Sequence, residues 1–194
     1  MNREQLISQI RRGEMFDALD LSDADYSGAD LSGGIFNKVN FSGCNLSACK
    51  FSESNFIECD FSAADFCGAE FKQSGFVKAN FSGAKFVSAR MGMANFVECV
   101  FNRADLHNAD LTHANLTDAQ MQAVNLSGAN LLFTNLVKAD LAGAYLQQAR
   151  LERSNLIEAN LLGVELRQAS IRQCVFQAPD LSGQNFSGMD LSLT

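Results

Sequence analysis

From Phe16 to Leu191 every fifth residue of this chain is Phe, Leu, Met, Ile or Tyr, with no slip of register. Neither regular element has that period, because helices return apolar residues at about 3.6 and strands at about 2. A strict period of five, held this long, therefore belongs to a repeated supersecondary unit. One pentad accommodates a short extended piece and a turn, and four pentads close a square coil of 20 residues. Coils stacked at the strand spacing of about 4.8 Å point one apolar residue inward from each side. The neighbours of each hit recur too, as in Ala24-Asp25-Tyr26-Ser27-Gly28 and Ala79-Asn80-Phe81-Ser82-Gly83.

Two residues before most hits the side chain is small, as at Ala64, Cys59, Ser74, Gly34, Val39 and Thr134, while Pro179, Gln184 and Met189 break the pattern at the end. With this position included, the chain resembles the pentapeptide-repeat family, whose pattern is Ala-(Asp/Asn)-Leu-X-X with the central Leu or Phe buried. The resemblance covers about nine-tenths of the chain. It implies an all-β fold, a right-handed quadrilateral β-helix of about nine coils over residues 16–194, with the small residue also facing inward. Family members include DNA-mimicking proteins that bind type II topoisomerases and secreted effectors, so the resemblance speaks to fold before activity.

Ahead of the repeat, Asn2 to Arg12 carries Leu6, Ile7 and Ile10 at helical spacing, and Gly13 follows. This predicts a short amphipathic helix within an N-terminal capping segment, residues 1–15, covering the apolar opening of the first coil. Inside the repeat the central residue is mostly Phe up to Phe101 and mostly Leu from Leu106 to Leu166. Of the 16 Phe, Phe133 alone lies off the central positions, so the aromatic content is core.

Cys44, Cys49, Cys59, Cys99 and Cys174 take the small inward position and Cys67 follows a central residue. No two are one coil apart, and two coils exceed the roughly 7 Å that a disulfide spans, so all six read as reduced. No paired Cys-X-X-Cys is present, and His107 and His113 fall on different sides, without the partners of a triad or a zinc site. A phosphate loop is missing as well. These observations predict no catalytic residue, no cofactor and no metal, hence a protein that is not an enzyme. The formal charge of −7 argues against direct nucleic-acid binding through phosphates. Apolar runs of only a few residues predict no membrane association, and a start without an apolar leader predicts a cytoplasmic location.

The outward positions, sorted by side, give candidate contact surfaces. One column holds Ile57, Val77, Val97, Thr117, Val137 and Ile157; beside it run Lys38, Glu58, Lys78, Glu98, Asp118, Lys138 and Glu158, and an Asn series at Asn55, Asn95, Asn115, Asn135 and Asn155. Such a ladder serves either strand geometry or a protein partner. Met93, His113, Leu132 and Phe133 form a second candidate patch. At the far end, Phe186 and Leu191 form an open coil able to stack tail to tail on a second copy as a homodimer. The reading that follows is a rigid non-enzymatic scaffold for a protein partner of unknown identity. Its alternative is a DNA mimic that binds and modulates or protects a type II topoisomerase, drawing on Asp17, Asp20, Asp23, Asp25 and Asp30 near the start.

Overall fold

The computed structural model describes residues 1–177. Helix α1 (Arg3–Arg11) starts at a reciprocal cap: the Asn2 side chain accepts from Gln5 N at 2.9 Å and the Gln5 side chain accepts from Asn2 N at 3.1 Å. Arg12 caps its C-terminus, and Gly13 follows at φ 74°, the left-handed conformation that ends helices at least cost. Leu6 and Ile10 are buried against the first coil. Arg3 Nη2 donates to Gly28 O at 3.0 Å and Tyr26 Oη to Met1 O at 3.1 Å, fastening the cap to the coil it covers.

Five three-residue strands follow, β1 (Met15–Asp17), β2 (Ile35–Asn37), β3 (Asn55–Ile57), β4 (Gly75–Val77) and β5 (Asn95–Val97). They make one parallel sheet in sequence order, each strand pairing with residues 20 further on. Three more ladders of single-residue parallel bridges begin at Asp20↔Asn40, Asp25↔Asn45 and Asp30↔Lys50. Four ladders per coil make a four-sided parallel β-helix. The three-residue ladder spans only four turns, and single bridges carry the same side on to Val175, eight coil steps from Met15. The count of about nine coils expected from the repeat is therefore not reached within the described residues.

A turn closes each pentad. From Gly13 to Gln173 every fifth residue has positive φ, whether Gly, as at Gly28 (62°), or not, as at Lys78 (56°) and Phe133 (57°). The central carbonyl accepts from the N–H three residues on, as in Ala29 N to Tyr26 O at 2.9 Å and Ala64 N to Phe61 O at 3.1 Å. Positive φ at the third turn residue is type II geometry. The strain this places on non-Gly residues is offset because the N–H of the positive-φ residue itself bonds the next coil, as in Lys38 N to Ile57 O at 2.8 Å. Along β1–β4 no closing bond forms at Phe16, Phe36, Phe56 or Phe76; at Phe96 it is 3.4 Å, and from Leu116 (3.1 Å) it is regular. Strands three residues long persist where the turn stays open.

The Asp/Asn of each pentad also has a physical task. Asp20 Oδ1 accepts from Ser22 N at 3.1 Å, Asn40 Oδ1 from Ser42 N at 2.9 Å and Asp60 Oδ1 from Ser62 N at 2.9 Å. Each thus satisfies an outward backbone donor two residues on. Inside, Phe36 to Phe101 are fully buried, and Phe16, Phe36, Phe56, Phe76 and Phe96 stack at 4.9, 4.7, 4.6 and 5.2 Å between centroids. Small polar residues fit the inward position because each reaches a backbone carbonyl, in most cases of the preceding coil: Cys44 Sγ to Leu21 O at 3.0 Å, Ser54 Oγ to Leu31 O at 2.9 Å, Thr134 Oγ1 to Leu111 O at 2.8 Å, whereas Ser74 Oγ bonds Phe71 O of its own turn at 2.6 Å. All six cysteines are free.

Candidate partner surface

The side that carries β1–β5 is flat because its strands stack in register without a bulge. Ile57 lies opposite Val77, and Val77 opposite Val97. Bridges from Asn95 through Asn115 and Asn135 to Asn155 carry the column on to Thr117, Val137 and Ile157. Ile57 is 44% exposed and the four other aliphatic members are half-buried. The Asn side chains hold the column from one flank: Asn115 Nδ2 donates to Asn95 Oδ1 at 2.8 Å, and Ile157 N donates to Asn155 Oδ1 at 3.2 Å.

On the other flank the charged residues pair along the axis, Lys38 with Glu58 at 3.7 Å, Lys78 with Glu98 at 3.6 Å and Lys138 with Glu158 at 3.9 Å. All six are about half exposed, so each pair contributes only about 0.2–1 kcal/mol. Asp118 has no ion pair among the described residues.

A neighbouring side brings the second patch together. The His113 ring stacks on Phe133 at 4.8 Å and 8°, and the Arg153 guanidinium lies 5.4 Å from the Phe133 centroid on the next coil. Met93 is 59% exposed; Phe133, exposed, and Leu132, half-buried, border an open cleft of about 430 Å³ together with Arg150, Glu152 and Arg172. Arg153 was absent from the sequence reading, although its place 20 residues after Phe133 marks it as the next member of the column. Other exposed apolar residues missed there are Met15, Ile35, Tyr145, Leu162 and Val175. Phe186 and Leu191, the end-stacking candidates, lie outside the described residues.

Three carboxyls of the acidic start, those of Asp20, Asp25 and Asp30, are held below the usual carboxylate range. The Ser22 and Ser27 N–H groups lower the Asp20 and Asp25 carboxyls, and the Ser32 hydroxyl lowers that of Asp30. Burial acts in the opposite sense on the thiols, pushing Cys49 and Cys99 up to about 12 and Cys59 to about 11. These thiols are poor nucleophiles at neutral pH. Among the described residues no three of His, Cys, Asp and Glu converge as metal ligands, and no helix is long and apolar enough to cross a membrane.

This geometry agrees with comparisons to known proteins. One family model, described as a pentapeptide repeat region, matches residues 19–96; another, pentapeptide repeats (8 copies), matches 94–131 and 134–173. No curated protein matches the chain. Among solved structures, a trypsin-treated variant of QnrB1, a plasmid-mediated fluoroquinolone resistance protein, is 21% identical, with 93% of this chain and 90% of that one covered at a TM-score of 0.84. HetL, a pentapeptide repeat protein involved in heterocyst differentiation regulation from the cyanobacterium Nostoc sp. strain PCC 7120, is 24% identical, with 98% and 97% covered at 0.59. At these identities the likeness concerns the fold. The two family models together take in most of the coils whose register, inward small residue and Asx turns are set out above, and the chain belongs to the pentapeptide-repeat family.

Proposed function

We propose that this protein is a rigid, non-enzymatic scaffold that presents the flat β1–β5 side of its β-helix to a protein partner. The observation that carries this reading is the column Ile57, Val77, Val97, Val137, Ile157, held straight by the coil register and bordered by Asn on one flank and charge on the other. An aliphatic strip framed by polar groups has the make-up of an interface core and rim. Side chains that stack every 20 residues also need little reordering on contact, which keeps the entropic cost of binding low. Val77→Lys/Val97→Lys/Val137→Lys places ammonium groups on this strip without touching the core. The triple variant is expected to lose, in a pull-down, a protein that the wild type retains, while both give the same circular dichroism. Retention of the same proteins by both would remove the reading.

A second reading is favoured by the likeness to a fluoroquinolone resistance protein and by the run of Asp17, Asp20, Asp23, Asp25 and Asp30 near the start. In it the acidic rod occupies the DNA-binding surface of a type II topoisomerase. A supercoiling assay with and without a fluoroquinolone tests this: relief of inhibition supports it, and unchanged inhibition at excess protein eliminates it.

A further inference from the structure

The charged column on the flat side contains an irregularity that pairing within the chain leaves unexplained. Strict alternation of sign down the column is all that neighbouring coils require, and Lys38–Glu58, Lys78–Glu98 and Lys138–Glu158 meet that requirement. Alternation breaks once, where Glu98 is followed by a second carboxylate, Asp118, which has no ion pair among the described residues.

From this break we infer that the flat side is occupied by a second copy of the chain, lying antiparallel about a twofold axis through the coil of Asn95–Glu98. This names the partner in the proposed function and rests on that reading of the flat side. A twofold axis in the interface plane and across the rods lays each outward column against the same column of the other copy, reversed in direction. Positions equally far from the axis then meet. Lys78 meets Asp118, Glu58 meets Lys138 and Lys38 meets Glu158, so each pair is of opposite sign and each occurs twice. Without the break, strict alternation about the same axis would oppose like charges at every step. Asp118 thereby gains a cation, and on the axis the two Glu98 carboxylates each keep their own Lys78 at 3.6 Å.

The other columns obey the same symmetry. Ile57, 44% exposed, meets Val137, Val77 meets the methyl-bearing Thr117, and Val97 meets its own copy. Asn55 meets Asn135, amide on amide, and Gly75 leaves room opposite Asn115. From the coil of Lys38 to that of Glu158 the strip is about 29 Å long at a coil spacing of about 4.8 Å, and three outward positions give about 10 Å of width. That footprint, about 290 Å² per copy, is smaller than a standard specific interface, so the dimer is expected to be weak and reversible, on the order of tens of micromolar or weaker, and further weakened by salt.

Sedimentation velocity on the purified chain tests the inference directly. Wild type is expected to pass from monomer to dimer across the micromolar range. Glu58→Lys alone and Lys138→Glu alone each bring like charges together twice and are expected to stay monomeric. Mixed in equal amounts, they restore both opposite-sign pairs and are expected to recover the dimer. As a second measurement, Val97→Cys on the axis is expected to cross-link to itself through a bismaleimide spanning about 10 Å, the spacing of packed sheets. Ile157→Cys, about 29 Å from its own counterpart along the strip, is expected not to. Wild type that stays monomeric overturns the inference, as do single variants that dimerise like wild type or a mixture that does not recover. A monomer whose triple Val→Lys variant still loses a heterologous protein would leave the scaffold reading standing and remove only the second copy.

Discussion

At the residue scale, position within the pentad decides what a substitution does. Phe61 and Phe81 are fully buried, so Phe61→Ala or Phe81→Ala is expected to cost about 3–5 kcal/mol, against well under 1 for a change at an exposed Lys, measured by urea unfolding. Gly34 supplies a sharper test. It holds the inward position where Ala is most frequent, yet a Cβ there would run into the Phe36 ring and lie 3.0 Å from Leu31 O. Phe36 is clamped between Phe16 and Phe56 and has no room to yield. Gly34→Ala, a step toward the repeat consensus, is therefore expected to destabilise by about 1–3 kcal/mol. The thiols add a pH dependence. Because burial raises Cys49, Cys59 and Cys99 above their usual 9, the stability tied to keeping them neutral is intact below about pH 9 and falls as pH rises through 11 to 12. Cys49→Ala/Cys59→Ala/Cys99→Ala is expected to flatten that alkaline decline in a series of unfolding midpoints.

At the scale of elements, Asn2→Ala removes one half of the reciprocal cap on α1 and is expected to cost about 1 kcal/mol locally. The readout is faster amide exchange in α1 and in the first coil beneath it, with the distant coils unchanged. The helix, its Gly stop and the inward register were legible in the sequence because each rests on a local rule: helical spacing, a left-handed Gly, one apolar residue per pentad. The length of the strands was not legible. Phe56 and Phe61 occupy equivalent pentad positions, yet the first sits in a three-residue strand and the second only follows the single bridge made by Asp60, because the turn after Phe56 stays open and the turn after Phe61 closes. That difference lies in backbone hydrogen bonding, which residue type reports poorly. Column membership follows from a step of 20 residues, which places Arg153 after Phe133, but the cation–ring contact between them depends on side-chain conformation that residue spacing does not report.

For the whole molecule, each described coil leans on its immediate neighbours, so the stack is quasi-one-dimensional. Removal of Leu116–Asn135, one full coil, joins Asn115 to Leu136 with every column still in register, and the product is expected to fold with a comparable circular dichroism spectrum. Removal of only Leu116–Gln120 keeps the inward pattern but rotates all later residues by one side, taking Val137 and Ile157 off the flat strip. This shorter deletion is expected to fold and to lose whatever the strip binds, a separation of core from surface that few globular folds permit. The same architecture has a mechanical consequence. The described ladders bond each coil to the next along the stacking axis, so tension between the chain ends opens a ladder bond by bond instead of shearing a whole sheet at once. Each coil of 20 residues surrenders about 4.8 Å of stack and releases about 70 Å of extended chain. Stretched between a bead and a surface, the molecule is expected to lengthen in a train of low-force steps of about 65 Å, one per coil, with no single large rupture.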